Sequence, residues 1–343
     1  MIPLYKDKWV NPDCLLDSSA FITIGIGARG IGKTYGCLKS LYDRGERFLY
    51  VRRTQTQLDE TCIQSLNPYN RISQDNGLLI CSERLGKHSV GFYNGEKDGD
   101  QIKPSGEPFA VGVALSTFAT IRGMSLDVST LLFDEVIPER HERPIKAEGE
   151  AFLNMLESVN RNRELAGDRP LHVVLLSNSN TINSEILNSI GVLKTVDEMS
   201  RKGQERKTIK DGLIEIIMFR DSPISEEKKQ SALYRVANNQ DFSSMALENS
   251  FARADYENVR QRPLQEYIFL ASVGSITVCK HKSKREYYII DGGKSENYYD
   301  STPISLGNFK RTYNYIFPYY LRGKMYFSSV TAKIEFERIV QYG

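Results

Sequence analysis

Short apolar runs recur along the first two thirds of the chain and predict the strands of a sheet. They cover residues 21–26, 48–51, 109–115, 129–133, 171–176 and 214–219. A run of this kind, without polar alternation, is typical of a strand that is buried on both faces, as in a parallel sheet. Apolar residues at helical spacing lie between some of the runs, in segments 35–42 and 148–165. This order predicts an α/β domain with a mainly parallel sheet.

Two stretches between the second and third runs have a different pattern. Residues 77–93 alternate between apolar and polar positions, which predicts a hairpin. Residues 94–108 are rich in glycine, proline and charged residues, which predicts a polar surface turn.

The character of the chain changes after about Lys194. Residues 201–207 are strongly charged and predict a solvated linker, and residues 226–238 predict a charged helix of a small lid or linker unit. Apolar segments later in the chain predict a compact α+β domain, and basic residues alternate there with aromatic ones around 310–327, which suits either nucleic-acid contact or amphipathic β-structure. We therefore expect three parts, with boundaries at residues 1–200, 201–240 and 241–343.

Composition sets limits on the class of protein. With 343 residues, 26% of them charged and 40% hydrophobic, the chain is typical of a globular protein large enough for two domains. The net charge of +2 does not by itself indicate a nucleic-acid partner. The five cysteines and four histidines lack metal-ligand spacing, which argues for reduced thiols and against a zinc enzyme. No stretch predicts a membrane span or a signal peptide.

A glycine-rich loop follows the first apolar run and precedes a helical segment. It fits the pattern of two glycines separated by four residues and followed by Lys and Thr, which is the phosphate-binding loop of nucleotide-binding proteins. Glycines let backbone N–H groups surround phosphate oxygens, and the helix N-terminus adds a partial positive charge. Lys33 is expected to reach the β- and γ-phosphates of ATP, and the Thr34 hydroxyl to bind Mg²⁺. The alternative is a plain glycine-rich turn. The candidate nucleotide-binding residues are Gly27, Ala28, Arg29, Gly30, Ile31, Gly32, Lys33 and Thr34.

Two adjacent acids end the apolar run at 129–133. Asp134 is expected to hold the Mg²⁺ shell, and Glu135 to orient and deprotonate an attacking water as general base. Without the glycine loop, this segment would be interpreted as an ordinary strand end.

Other polar residues lie at the ends of predicted elements, and each has two interpretations. Asn11 precedes the first strand and either contacts the nucleotide base or forms an entry turn. Arg52 and Arg53 end a strand and suit either phosphate or DNA contact or structural ion pairs. Asn178 either senses the γ-phosphate or belongs to a helix cap. Arg161 and Arg163, at the end of a helix, are two residues apart and point in different directions, so one suits local packing and the other contact with a neighbouring subunit.

These motifs occur in the same order in one known family. The chain resembles the DNA-packaging ATPases of small protein-primed tailed bacteriophages, the phi-29-like type, which are relatives of the large terminase subunit. The resemblance is specific in the first domain and faint in the C-terminal part. It implies a phosphate-loop NTPase fold of the additional-strand (ASCE) class, then a small linker or lid unit, then a domain resembling a vestigial RNase H-like nuclease. The segments that carry it are 26–34, 48–53, 132–135, 160–164 and 176–178.

The resemblance also implies roles for individual residues. Arg161 is expected to be an arginine finger, donated across a subunit interface, with Arg29 as the rival finger acting within its own subunit. Asn178 matches the coupling motif. Arg122 lies where the family has a basic residue that grips DNA in the central channel. Gln55 departs from the family, which has a basic residue there, so DNA contact at that position is doubtful.

The function implied is an ATP-driven, Mg²⁺-dependent motor that moves double-stranded viral DNA into a procapsid. The expected partners are further copies of the chain in a ring, conventionally a pentamer, the procapsid portal and, in some members, a phage-encoded packaging RNA. The expected location is the host cytoplasm, transiently at the portal vertex, without nuclease activity and without a membrane. A switch ATPase that moves nothing and a metabolic kinase are the alternatives. Glu135 argues against a kinase, and Arg161 against a monomeric switch.

Overall fold

The computed structural model describes residues 2–99, 101–121, 127–139, 142, 145–179, 181–236, 251, 253–293 and 295–341. The chain divides into two compact units, residues 1–252 and 253–343. This division differs from the three parts expected from the sequence, because the segment predicted as a linker contributes strands to the first unit. Each unit is built around its own sheet.

The first unit contains a nine-stranded sheet in the order β10-β11-β3-β9-β8-β4-β7-β6-β5, and a separate two-stranded hairpin, β1-β2. The six central strands, β11-β3-β9-β8-β4-β7, run parallel to one another. Antiparallel strands extend both edges, β10 at one and β6 and β5 at the other. The mainly parallel sheet predicted from the apolar runs is therefore confirmed. The strands are β1 Tyr5–Lys6, β2 Trp9–Val10, β3 Ile22–Gly27, β4 Phe48–Arg52, β5 Ile80–Gly86, β6 Ser89–Asp98, β7 Gln101–Ala114, β8 Thr130–Phe133, β9 His172–Asn178, β10 Arg206–Ile209 and β11 Ile214–Phe219.

Helices connect these strands and bury the sheet. Every residue of β3 and β8 is buried, as expected for strands covered on both faces. Leu38 and Leu41 of one helix pack in the same core cluster as Phe48 and Leu176 of the sheet. The helices of this unit are α1 Asp13–Leu16, α2 Lys33–Asp43, α3 Gln55–Glu60, α4 Asn70–Asn76, α5 Glu148–Asn160, α6 Glu185–Ser189, α7 Leu193–Lys202, α8 Pro223–Lys229 and α9 Ala232–Val236.

One prediction about the sheet was wrong. Residues 94–108 are not a surface turn, because β6 and β7 continue through this stretch as a long antiparallel hairpin with Asn94 opposite Ser105 and Asp98 opposite Gln101. Most of its side chains are exposed or half-buried. A ribbon that carries no fully buried face lacks the apolar alternation by which a strand is identified in a sequence.

The predicted linker at 201–207 overlaps an edge strand. β10 pairs antiparallel with β11, with Arg206 opposite Ile217, and β11 lies parallel to β3. Charged residues are common on edge strands because they discourage pairing with another chain. The charged residues of this segment predicted a linker, but Arg206 and Lys207 belong to the edge strand of the sheet.

The second unit contains a five-stranded mixed sheet in the order β15-β12-β13-β14-β16. One face packs against helices through an aromatic and aliphatic cluster that includes Phe309, Phe327 and Phe336. The strands predicted near 267–290 are confirmed. The elements are β12 Tyr267–Val273, β13 Ile276–His281, β14 Tyr287–Asp291, β15 Tyr298–Tyr299, α10 Pro303–Thr312, α11 Phe317–Leu321, β16 Met325–Phe327 and α12 Val330–Gln341.

The strand order of the first unit brings the candidate residues together. β9 lies between β3, which ends in the glycine loop, and β8, which ends at the acidic pair. Since these strands are parallel, their C-terminal ends meet at one edge of the sheet, where ligands of open α/β sheets bind. Among the described helices, none is long and apolar enough to cross a bilayer.

Candidate functional site

The glycine loop connects β3 to α2 in a conformation that needs its glycines. Gly30 has φ +61° and Gly32 has φ +92°, values that side-chain-bearing residues rarely adopt. A Cβ atom on Gly27 would lie 2.8 Å from Ile31 Cδ1, so this position also excludes a larger residue. The backbone N–H of Val10 donates to the Ile31 carbonyl at 3.0 Å and fixes the loop from outside. The loop is therefore held in one shape, with α2 starting at its end.

Lys33, the first residue of α2, folds back over this loop. Its buried ammonium donates to the carbonyl oxygens of Gly27 at 2.9 Å and Ala28 at 2.7 Å, and to Asn178 Oδ1 at 3.2 Å. Burial lowers the pKa of Lys33 to about 7, against the opposing effect of the nearby Asp134 carboxylate. The hydrogen-bond partners of Lys33 are neutral. An incoming anion would bind this buried ammonium more strongly than they do, because ion pairs are stronger where water is excluded.

Asp134 receives hydrogen bonds from several sides. The Thr34 hydroxyl donates to its Oδ1 at 2.8 Å, and the Tyr50 hydroxyl and Arg52 Nη1 donate to its Oδ2 at 3.2 and 3.1 Å. Burial raises the pKa of Asp134, and the positive charge of Arg52 acts against this rise. The predicted pair of metal-binding oxygens, on Thr34 and Asp134, is therefore in direct contact. Tyr50 was missed in the sequence, where a tyrosine in a strand gives no functional signal.

Glu135 adopts a left-handed backbone conformation with φ +58°, which is uncommon outside glycine. Its side chain is 42% exposed, and its Oε2 accepts from Arg52 Nη2 at 2.7 Å. Arg52 thus contacts both acids of the pair. Strained backbone of this kind is concentrated at functional sites, where surrounding contacts hold it in place.

Arg53, which follows Arg52, has a different environment. Its side chain is 1% exposed and forms ion pairs with Glu142 and, at 2.8 Å, with Glu148. For Arg53 the structural alternative therefore holds, and it is not available for contact with DNA. Arg52 and Arg53 have different environments because consecutive residues at a strand end point to opposite faces of the sheet.

Replacing Arg53 with methionine should lower the free energy of unfolding by about 3–5 kcal/mol, because Glu148 would be left buried without its partner. Urea titration followed by the fluorescence of Trp9, the single tryptophan of the chain, would measure this in the first unit. Arg71→Met is the control, since Arg71 pairs with Asp75 on the surface and should contribute about 0–1 kcal/mol. Equal effects of the two substitutions would contradict the assignment of Arg53 as a structural residue.

Two other candidates have local partners. The exposed side chain of Arg29 extends from the loop and pairs with Glu139. The amide group of Asn11 donates to the Pro3 carbonyl at 3.1 Å, and its Oδ1 accepts from the Asp13 backbone N–H at 3.2 Å. These contacts of Asn11 are those of an entry turn, the second of its two interpretations.

Arg161 lies away from these residues. The helix α5 ends at Asn160, whose Oδ1 accepts from the backbone N–H of Leu171 at 2.8 Å, just before β9 begins. Asn178, which contacts Lys33, ends the same strand. Seven residues of strand span roughly 20 Å, so Arg161 is at the opposite edge of the sheet from the glycine loop of its own chain. Arg122 lies outside the described residues.

The residues at the C-terminal edge of the sheet line an open cleft of about 330 Å³. Among the described residues, no group of three or more His, Cys, Asp or Glu is placed to hold a metal ion. The donor set is instead one hydroxyl and one carboxylate, which is how Mg²⁺ is bound together with phosphate oxygens rather than in a protein-only cage. The lining residues are Arg29, Gly30, Gly32, Lys33, Thr34, Tyr35, Asp134, Glu135, Ser177 and Asn178.

The chain is similar to a known family, to individual phage proteins and to a solved structure. A family described as Podovirus DNA encapsidation protein (Gp16) matches residues 4–291. The DNA packaging protein of Bacillus phage PZA is 26% identical over 265 residues, which cover 75% of this chain and 70% of that protein. That of Bacillus phage phi29 is 27% identical over 254 residues, covering 72% and 67%. A solved structure, described as the Phi-28 gp11 DNA packaging motor, matches with a TM-score of 0.63 at 20% identity and covers 98% of both chains, which shows a shared fold.

Proposed function

Because the chain belongs to the podovirus DNA encapsidation protein (Gp16) family, we propose that it is an ATP-driven motor that moves double-stranded viral DNA into a procapsid. The observation that carries the proposal is the meeting of the glycine loop with the acidic pair, through the Thr34–Asp134 hydrogen bond of 2.8 Å. The additional strand β9, between the strands that carry these two motifs, supports a phosphate-loop NTPase of the ASCE class.

ATP would bind over the loop, with its phosphates on the backbone N–H groups and on Lys33. The buried, desolvated ammonium of Lys33 fits this role, since a phosphate oxygen is a stronger acceptor than the carbonyls of Gly27 and Ala28 that it now contacts. The hydroxyl of Thr34 and the carboxylate of Asp134 would hold Mg²⁺. Mg²⁺ held there would offset the negative charge of the phosphates.

Glu135 would accept the proton of the attacking water, with its carboxylate oriented by Arg52 at 2.7 Å. Asn178 would couple this chemistry to motion, since its side-chain oxygen contacts the Lys33 ammonium from the strand between the two motifs. Loss of the γ-phosphate at Lys33 would therefore alter the contact with Asn178 at the end of β9. This contact with Lys33 favours the γ-phosphate interpretation of Asn178 over the helix cap.

In a ring of identical subunits, a pentamer by the family resemblance, each subunit would donate an arginine finger to the cleft of its neighbour. Arg161 lies roughly a strand length from the cleft of its own chain, which supports a role at the cleft of a neighbour. Arg29, which lines its own cleft, is the rival finger.

The proposal includes the partners that a packaging motor needs. These are double-stranded viral DNA, gripped in part by Arg122, the procapsid portal and, where the phage encodes one, a packaging RNA. The protein would act in the host cytoplasm and transiently at the portal vertex. The second unit would be a vestigial nuclease-like domain without cutting activity. Asp291, an acid at the end of β14, accepts from the Ser328 hydroxyl at 3.1 Å.

The test is ATP turnover per subunit at rising protein concentration, with and without double-stranded DNA. Turnover that rises with both would support a motor activated between subunits, and DNA binding should weaken steeply with added salt because phosphate contacts release counterions. Turnover that depends on neither protein concentration nor DNA would contradict the motor and leave a switch ATPase. Transfer of phosphate to a small acceptor instead of water would indicate a kinase.

A further inference from the structure

The helix α8 is fixed beside the glycine loop, although the two are far apart in the sequence. Ile224 of this helix packs against the core cluster of the first unit. Glu227 forms an ion pair with Lys8 of the N-terminal hairpin. The hydroxyl of Tyr5 in the same hairpin donates to the carbonyl of Arg220, just before the helix, at 2.5 Å. These contacts make α8 part of the nucleotide-binding unit rather than a free lid.

Lys228 extends from α8 onto the loop itself. Its ammonium donates to the carbonyl oxygen of Arg29, and a Cβ atom on Gly30 would lie 2.7 Å from it. Within the described part of the chain, no carboxylate pairs with Lys228, whereas Lys8 pairs with Glu227 and Lys229 with Glu226. Burial lowers the pKa of Lys228. An ammonium is thus held partly out of water with a neutral acceptor as its partner, in the part of the protein that the structure describes.

Lys33 and Lys228 both donate hydrogen bonds to backbone carbonyls of the glycine loop. Lys33 donates to the carbonyls of Gly27 and Ala28, and Lys228 to the next carbonyl along the chain, that of Arg29. Because both ammonium groups lie on successive carbonyls of one loop, their positive charges repel each other. An anion bound between them would remove this repulsion and satisfy both groups.

We propose that Lys228 is a second nucleotide-binding lysine, which leaves the Arg29 carbonyl and donates to the terminal phosphate of bound ATP. The inference rests on the proposed function, since it assumes that the cleft binds ATP. The terminal phosphate is the target because Lys33, whose ammonium lies on the same loop, reaches the β- and γ-phosphates in loops of this kind. The flexible side chain of a lysine allows the exchange without movement of α8.

Calorimetric titration with a non-hydrolysable ATP analogue and with ADP, both with Mg²⁺, tests the proposal. Lys228→Met should weaken binding of the analogue by about tenfold or more, the effect of one hydrogen bond to a charged group, and leave ADP binding unchanged. Lys229→Met is the matched control and should behave as the wild type for both nucleotides. Lys228→Arg keeps the charge and should restore most of the affinity for the analogue.

Trp9 gives a second readout that does not depend on hydrolysis. It is the single tryptophan and packs against Gly32, with its Cε3 3.3 Å from the position of a Cβ there, so its fluorescence should respond to nucleotide. Analogue binding by Lys228→Met equal to that of the wild type would overturn the inference, as would equal weakening of ADP and analogue. Failure of the wild type to bind either nucleotide would instead contradict the proposed function.

Discussion

Arg161→Ala is expected to lower ATP hydrolysis by assembled rings by about 10³–10⁵-fold, the usual effect of an arginine finger, while nucleotide binding stays unchanged. Binding is preserved because the glycine loop and acidic pair lie at the other edge of the sheet, past the end of β9. Steady-state hydrolysis and nucleotide titration, made on the same preparation, measure the two effects separately.

The local structure of Arg161 suits a role between subunits. Its φ is +45°, outside the helical range, and its Nε donates to the Ser158 carbonyl at 3.1 Å. The backbone therefore turns sharply where α5 ends, and the exposed side chain lies on the surface beside Glu157. A strained backbone at an exposed arginine, remote from the cleft of its own chain, fits a contact with a neighbouring subunit.

Mixed rings separate action between subunits from action within one. Arg161→Ala subunits retain an intact cleft, and Lys33→Ala subunits retain an intact finger, so mixing the two inactive proteins should restore part of the hydrolysis. Arg163→Ala is the control from the same end of α5 and should remain active. If mixing restores nothing, and Arg29→Ala alone is inactive, the finger is Arg29 and acts within its own subunit.

The sequence predicted those parts of the site that depend on neighbouring residues. The glycine loop needs a fixed spacing between Gly27 and Thr34, and the acidic pair directly follows a strand that is recognisable from its apolar residues. The Mg²⁺ roles expected of Thr34 and Asp134 require these two motifs to meet, and the structure brings the two side chains into contact.

The parts that could not be predicted are contacts between distant segments. Lys228 is 199 residues away from Arg29, the residue that it contacts, and it lies in a charged helix with no functional pattern. Arg52 and Arg53 are adjacent and identical in type, and only their burial, which depends on the folded sheet, distinguishes a residue of the site from a structural ion pair. Local periodicity carries no information about either contact.

Glu135→Gln is expected to reduce hydrolysis by about 10²–10⁴-fold, because the amide cannot accept the proton of the attacking water. The substitution is nearly isosteric, and the amide oxygen can still accept from Arg52, so the backbone at φ +58° should keep its conformation. ATP binding should therefore persist, and the variant should hold ATP without turning it over. Single-turnover hydrolysis and nucleotide titration measure these two properties.

The matched control is Glu139→Gln, which removes a carboxylate near the same cleft, where it pairs with Arg29. This variant should lose little activity if the base is Glu135, because the Glu135 carboxylate and its contact with Arg52 are unchanged. An inactive Glu139→Gln beside an active Glu135→Gln would transfer the role of base to Glu139. Loss of ATP binding by Glu135→Gln would instead mean that Glu135 holds the phosphates or the metal ion, since the loss of a proton acceptor alone leaves the affinity for ATP unchanged.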